Sequence, residues 1–323
     1  MFIQVKLAIL SLWKACLPSD YNNFMRKNKR VIVRLVGRCG NQLFQYAYGR
    51  AVAIENSAEL IIYGDCNVDP SWKNDLLGFN VTCQFKPGNP YSFLNKIRFT
   101  IGAHRLQRHK DKTQLLAYYR KRGIFFTYYS LPPHVQIKAK TIYLIPVGDN
   151  ERHDLIDKNR DIILKEITAK DPVPYGDIFT PEVQARETVC VSVRRGDFLS
   201  NKYKALHFVC GEAYFKRAIA KAKELIKDPL FIIFSDDVEW CKQSGLFPEG
   251  SIFEKPGYTI PQKLMLMKEC KHFIISNSTF SWWAQYLSRN PRKVVLAPSI
   301  WKPQGDYSFI YQDYWTLVDP KED

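Results

Sequence analysis

Short apolar runs that stop on polar turns and give way to helical spacing recur along this chain. Val31-Ile32-Val33-Arg34-Leu35-Val36 reads as a buried strand and Gly37-Arg38-Cys39-Gly40 as a tight turn. Asn41 then reads as the N-cap of a helix carrying Phe44, Ala47, Tyr48 and Ala51 at i, i+3, i+4 and i+7, and Glu59-Leu60-Ile61-Ile62-Tyr63 as the next strand. From Cys66 to Lys140 the pattern blurs into aromatic and basic pieces punctuated by Pro87, Pro90, Pro132 and Pro133, which reads as a wrapping of the first domain. Ile142–Ile145 returns as a strand, and Asp154–Thr168 as a helix with Leu155, Ile156, Ile162, Ile163 and Ile167 facing inwards. Asp171-Pro172-Val173-Pro174-Tyr175-Gly176-Asp177 has linker composition, which places a boundary there. The organisation predicted is an N-terminal arm (1–30), an α/β domain (31–175) and a second α/β domain (176–323).

The second half alternates more regularly. Val189–Val193 is a buried strand, followed by a helix from about Glu212 to Lys227 whose Phe215, Ala218, Ile219, Ala222, Leu225 and Ile226 form one stripe. Leu230–Phe234 is the next strand, with helices near Val238–Ser244 and Pro261–Cys270 flanking a short piece at Ile252-Phe253. Strand Phe273–Ile275, a polar turn, the helix Thr279–Arg289, and strand Val294–Leu296 lead into an aromatic tail. Such alternation predicts mostly parallel sheets with helices on both faces.

Composition changes this picture in three places. With 46% hydrophobic residues in 323, neither domain is short of a core. Eight cysteines occur without any C-x-x-C pair, which spells out neither a zinc site nor a disulfide framework and suits free thiols in a reducing compartment. The net charge of +15 calls for a polyanionic neighbour: nucleic acid, an anionic membrane leaflet or a nucleotide sugar. Between Lys86 and Arg122 ten Lys and Arg residues face Asp111 alone. Met1–Leu17 is apolar only in patches and too interrupted to span a bilayer, so it reads as an interfacial helix, a weak signal-like segment or a packing arm. Nucleic-acid binding would interleave aromatic with basic residues on an exposed sheet face, whereas most aromatic residues here stand at core spacings.

Three strands end in chemistry. The first stops on Arg194, Arg195, Gly196 and Asp197, the second on Ser235, Asp236 and Asp237, the third on the turn Ser276-Asn277-Ser278 before a helix that opens with Thr279 and Ser281. Ligands of open α/β sheets sit at the carboxyl ends of strands, so two guanidiniums there predict a bound diphosphate or carboxylate, against the plainer pairing of either arginine with Asp197. A hydroxyl-rich turn entering a helix N-terminus adds N–H donors and the positive end of a dipole; simple capping by Ser278 or Thr279 is compatible with that role. Asp236 and Asp237 would repel a diphosphate and suit ribose hydroxyls, a purine N–H edge or a cap on the next helix. In the first domain, Gln42 and Gln45 are the polar residues of the helix that follows the glycine-bearing turn.

Four segments carry a resemblance: Gly40-Asn41-Gln42-Leu43-Phe44-Gln45-Tyr46-Ala47, Val193–Phe198, Phe234–Cys241 and Ser276–Trp283. In this order they resemble the signature blocks of the alpha-1,2-fucosyltransferases of glycosyltransferase family 11. The resemblance implies an α/β fold of GT-B type with two Rossmann-like domains facing a cleft. It implies a GDP-fucose donor held mainly by the second domain, inverting transfer without a metal or other cofactor, and the 2-hydroxyl of a galactose-containing glycan as acceptor. On it Arg194 is the catalytic and diphosphate residue, with Arg195, Ser278, Thr279 and Ser281 around the donor phosphates. Asp236 and Asp237 fall to the nucleoside, and Asn41, Gln42, Gln45 and Asp197 to the sugar and acceptor side. The chain departs from the family at Ser192, where a histidine usually opens the second block; serine is neither a cation nor a base. No D-x-D triplet occurs, in keeping with arginines in place of a metal ion. The charge pattern adds an expected anionic membrane surface as partner, on the inner, cytoplasmic face, and no nucleic acid.

Overall fold

The computed structural model describes residues 29–64, 73–127, 137–145, 153–199, 205, 210–304 and 307–321. The N-terminal stretch Met1–Leu17 and the cysteines Cys16 and Cys66 lie outside them. Two compact units divide the chain, and the division is interleaved: residues 37–44 and 73–81 belong with 153–321, whereas 29–36, 45–64, 82–127 and 137–145 form the other unit. The run Asp171–Asp177 lies within the second unit.

In the first unit, strands β1 (Arg30–Arg34), β2 (Glu59–Tyr63), β3 (Gln84–Lys86), β4 (Ile124–Phe126) and β5 (Thr141–Ile145) form one sheet in the order β3-β2-β1-β5-β4. All its pairings are parallel. Helix α1 (Cys39–Glu55) follows β1, as the periodicity predicts, but it starts two residues before Asn41. Asn41 is therefore not the N-cap. Asp75, from a later loop, accepts a hydrogen bond from the Cys39 N–H and so serves one of the unpaired donors of the first turn.

The blurred region holds two helices, α2 (Phe93–Arg108) and α3 (Thr113–Arg120). Phe99 and Leu106 of α2 pack with Tyr91, Tyr119, Ile124 and Phe126. Gly102 lets the two helices touch, since a Cβ there would lie 2.8 Å from the Tyr119 ring. Asp154–Thr168 is two short helices, α4 (Asp154–Asp157) and α5 (Arg160–Glu166), broken where Asn159 N–H bonds back to Ile156 O.

The second unit holds the start of α1, then α4 and α5, and its sheet region runs through α6 (Pro181–Gln184), β6 (Glu187–Val193), α7 (Glu212–Leu225), β7 (Pro229–Ser235), α8 (Val238–Gln243), β8 (Ile252–Phe253), α9 (Ile260–Lys268), β9 (His272–Ile275), α10 (Thr279–Leu287), β10 (Val295–Pro298) and β11 (Thr316–Val318). The sheet order is β11-β10-β9-β6-β7-β8, parallel throughout. The chain proceeds outward from β6 through β7 and β8, then returns to the other side of β6 with β9. That reversal makes the carboxyl ends of β6 and β9 a topological switch point, where doubly wound sheets bind ligands. The buried face of α7, Tyr214, Phe215, Ala218, Ile219 and Ala222, packs on the valines of β6.

Candidate active site

Parallel register decides what meets at the switch point. Val193 stands opposite Ser235, so the next residues, Arg194 and Arg195, come level with Asp236 and Asp237. Arg194 Nη1 lies 2.6 Å from Asp236 Oδ2, and the other oxygen of that carboxylate accepts the Arg195 N–H at 2.9 Å. Arg195 Nε donates to Asp237 Oδ2 at 3.3 Å, and its guanidinium lies 3.5 Å above the Trp240 ring, a cation–π seat. Both arginines thus pair with the aspartates that end the neighbouring strand, and the Arg194 guanidinium also lies 5.4 Å from the Phe198 ring centroid. Asp237 also accepts from Trp240 N–H at the start of α8, which is the capping foreseen for it. Gly196 is a close approach: a Cβ there would lie 2.5 Å from Asp236 Oδ2.

The β7 end is fixed from behind. Glu254, 4% exposed, accepts the Ser235 N–H at 2.7 Å and Lys263 Nζ at 2.9 Å, and Lys263 reaches on to the Ser235 carbonyl at 3.1 Å. Burial raises the Glu254 carboxyl above its ordinary range, with Lys263 and the Ser235 N–H pulling against it. Sequence reasoning gave no role to Trp240, Glu254 or Lys263. Matching the ends of the two apolar runs would have found the arginine–aspartate pairing, while nothing local marks Glu254.

On the other side of β6, the third strand end is welded to the start of α1. Thr279 Oγ1 donates to Asn41 Oδ1 at 2.9 Å and Trp283 Nε1 to Gly40 O at 3.0 Å, while Phe44 packs against Trp282 and Trp283 with ring centroids 4.7 and 5.0 Å away. A Cβ on Gly40 would stand 2.5 Å from Phe280 N. The close backbone approach that Gly40 permits is made to the N-terminus of α10. Ser278 holds the N-cap position without a side-chain capping bond, and Ser278 and Thr279 are partly exposed. Ser281 is buried: its hydroxyl lies 2.6 Å from Ser192 Oγ and 3.2 Å from Ser276 Oγ. Ser192, where the resemblance expects a histidine, is therefore a buried hydrogen-bond partner of Ser281.

The glutamines of α1 serve the backbone. Gln42 is fully buried; its Nε2 donates to Gly37 O and Lys73 O, and its Oε1 accepts from Asp75 N–H. Gln45 both accepts from and donates to the Val36 backbone at 3.0 and 2.9 Å. These side chains clamp loops, which accounts for amides at those positions. Asp197 begins a single 3-10 turn after the arginines. Among the described residues no group of three or more His, Cys, Asp or Glu could hold a metal ion, and no helix is long and apolar enough to cross a membrane.

Two doubly wound parallel sheets, one with two arginines and a helix N-terminus at its switch point, define an α/β protein of the GT-B type. The chain belongs to glycosyl transferase family 11, whose model matches residues 4–318. An alpha-1,2-colitosyltransferase of Escherichia coli is 29% identical over 84% of this chain and 92% of its own length. The O-antigen biosynthesis glycosyltransferase WbnK of Escherichia coli is 25% identical over 87% and 98%. Galactoside 2-alpha-L-fucosyltransferase Sec1 of Mus musculus is 32% identical over 46% of this chain and 43% of its own.

Proposed function

We propose that this glycosyltransferase moves L-fucose from GDP-fucose to the 2-hydroxyl of a galactose residue, with inversion at the fucose anomeric carbon and without a metal ion. The observation that carries the reading is the meeting of Arg194 and Arg195 at the end of β6 with Asp236 and Asp237 at the end of β7, beside the N-terminus of α10 after β9. As the bond between fucose and phosphate breaks, the leaving GDP gains negative charge. Preorganised cations and helix N–H groups aimed at that charge lower the barrier more than they tighten ground-state binding. Asp236 and Asp237 orient the arginines, and Asp237 caps α8, so their carboxylates serve the phosphate seat from behind. Ser278 offers its hydroxyl to the diphosphate, while Thr279, whose hydroxyl proton goes to Asn41, and Ser281, from the core, hold the turn that aims the helix N–H groups. Asn41, joined to Thr279, is the residue of the first block best placed to reach a sugar hydroxyl.

The alpha-1,2 linkage and the galactoside acceptor are supported by the activities named for the relatives. A second reading, transfer of colitose, keeps the site and linkage and is favoured by the colitosyltransferase that this chain matches over most of both lengths. The O-antigen role in the name of the other bacterial relative supports a saccharide of that kind as acceptor, and a lipid-linked form of it, met at the inner face of a membrane, is part of the proposal. Incubating the purified protein with labelled GDP-fucose or GDP-colitose and an array of galactosides tests this directly. An alpha-1,2-fucosylated product is expected; product from GDP-colitose alone would move the assignment to the second reading, and none from either donor would sink both.

A further inference from the structure

Helix α2 is apolar on two opposite sides. Phe99, Gly102 and Leu106 are buried in the first unit. Phe93 and Leu94 are each 75% exposed, Ile97 43% and Ile101 51%, and they recur at i, i+1, i+4 and i+8 as one outward strip. Arg105 and Arg108 continue that strip at i+4 and i+7 from Ile101, and both are exposed, as is Lys96 beside it. Contiguous exposed apolar side chains on a soluble body mark an interaction surface.

We infer that this face of α2 docks on an anionic lipid surface, with the apolar strip entering the boundary between headgroups and acyl chains and the flanking basic residues meeting lipid phosphates. Charge complementarity selects this occupant. The segment from Lys86 to Arg122 holds ten Lys and Arg residues against Asp111, so a second copy of the chain would bring like charge to the same patch. Amphipathic helices with basic flanks lie in the plane of such membranes, and both forces contribute: apolar burial and attraction to acidic lipid. The inference stands on α2 alone and does not rest on the donor or acceptor assigned above.

Co-sedimentation of the full chain with vesicles of phosphatidylcholine, alone or mixed with phosphatidylglycerol, tests it. Binding is expected only with phosphatidylglycerol, and it should fall as salt screens the headgroups. The double variant F93S/L94S should lose about tenfold or more in vesicle affinity, from the apolar area no longer buried. R105Q/R108Q should lose about fivefold per arginine. Both should keep the wild-type melting temperature and the wild-type rate on a soluble acceptor. Wild-type protein that ignores phosphatidylglycerol vesicles at low salt, or variants that bind as it does, would overturn the inference. So would an F93S/L94S variant that turns a dimer into a monomer with no change at vesicles, since the strip would then be a contact between copies.

Discussion

Gly196 shows how one missing carbon positions a charge. Asp236 can reach both Arg194 Nη1 and the Arg195 N–H because nothing projects from the glycine that follows them. Gly196→Ala would force this carboxylate, held at both oxygens, to move, and Arg194 with it. We expect turnover to fall about a hundredfold, the order of loss that follows a misplacement of about 1 Å at a reacting centre, with little change in unfolding temperature. Steady-state kinetics beside a thermal melt would check this, and unaltered turnover would show that the Arg194–Asp236 contact does not matter to the reaction. At this scale the sequence is an incomplete guide. Arginines and aspartates at strand ends announce themselves by type, but Gln42 and Gln45 show that a polar residue beside a glycine turn can be consumed wholly by its own backbone. Residue type does not say which partner wins, because the partner comes from Val36, Lys73 or Asp75, up to 33 positions away.

At the scale of elements, two devices hold the strand ends in place. The first is the Glu254–Lys263 pair behind Ser235. Glu254→Ala would leave Lys263 without its carboxylate and the Ser235 N–H without its acceptor. Losing one member of a buried pair costs about 3–5 kcal/mol, and because Lys263 is one-quarter exposed the lower end applies. Urea unfolding would read it, with a loss under about 1 kcal/mol excluding a structural role.

The second device is the far end of α10. Arg160 Nη2 bonds Tyr286 O at 2.9 Å and Ser288 O at 3.2 Å, and Lys293 Nζ bonds Gln285 O at 2.5 Å, so two cations cap the carbonyls of this helix. Burial first, and the nearby Arg160 second, bring the Lys293 ammonium down from the ordinary 10.5 to about 7. Between those values the unfolded chain binds more protons than the folded one, so stability rises with pH across that window; below it both states carry the proton and the cost of the buried charge is fully present. Lys293→Met removes this titration. The stability of wild type relative to the variant should therefore climb from pH 7 toward pH 10 in thermal melts, and a flat difference would show that the amine is not desolvated.

Elements with one apolar stripe or one apolar run were legible in the sequence, and β2 and β8 fall where the pattern puts them. Helix α2 was not, for a physical reason: Phe99 and Leu106 point inward while Phe93, Leu94, Ile97 and Ile101 point outward, so no single stripe stands out. A helix with a second, membrane-suited face breaks the rule that apolar means inside.

At the scale of the whole molecule, the proposed phosphate seat lies on elements distant in sequence: Arg194 after β6, Asp236 after β7, and Thr279 with its partner Asn41 from the start of α1. Alternation of strands and helices made two doubly wound sheets legible, but not that residues 37–44 belong with the second unit, because Trp283 and Thr279 draw them there through contacts that periodicity cannot see. A site assembled this way couples ligand binding to the stability of the unit that carries it. Anything that binds the folded state alone stabilises it, by about 2.7 kcal/mol at a hundred times its dissociation constant. GDP should therefore raise the melting temperature of the wild-type chain, and by the same amount with EDTA present as without, since the seat described uses guanidiniums and a helix N-terminus. Arg194→Lys keeps the charge beside Asp236 but loses the planar fork that matches a diphosphate, so its own melt should change little while its shift with GDP shrinks. A GDP shift that vanishes with EDTA and returns with magnesium would refute the metal-free reading, and an undiminished shift in Arg194→Lys would move the diphosphate away from the end of β6.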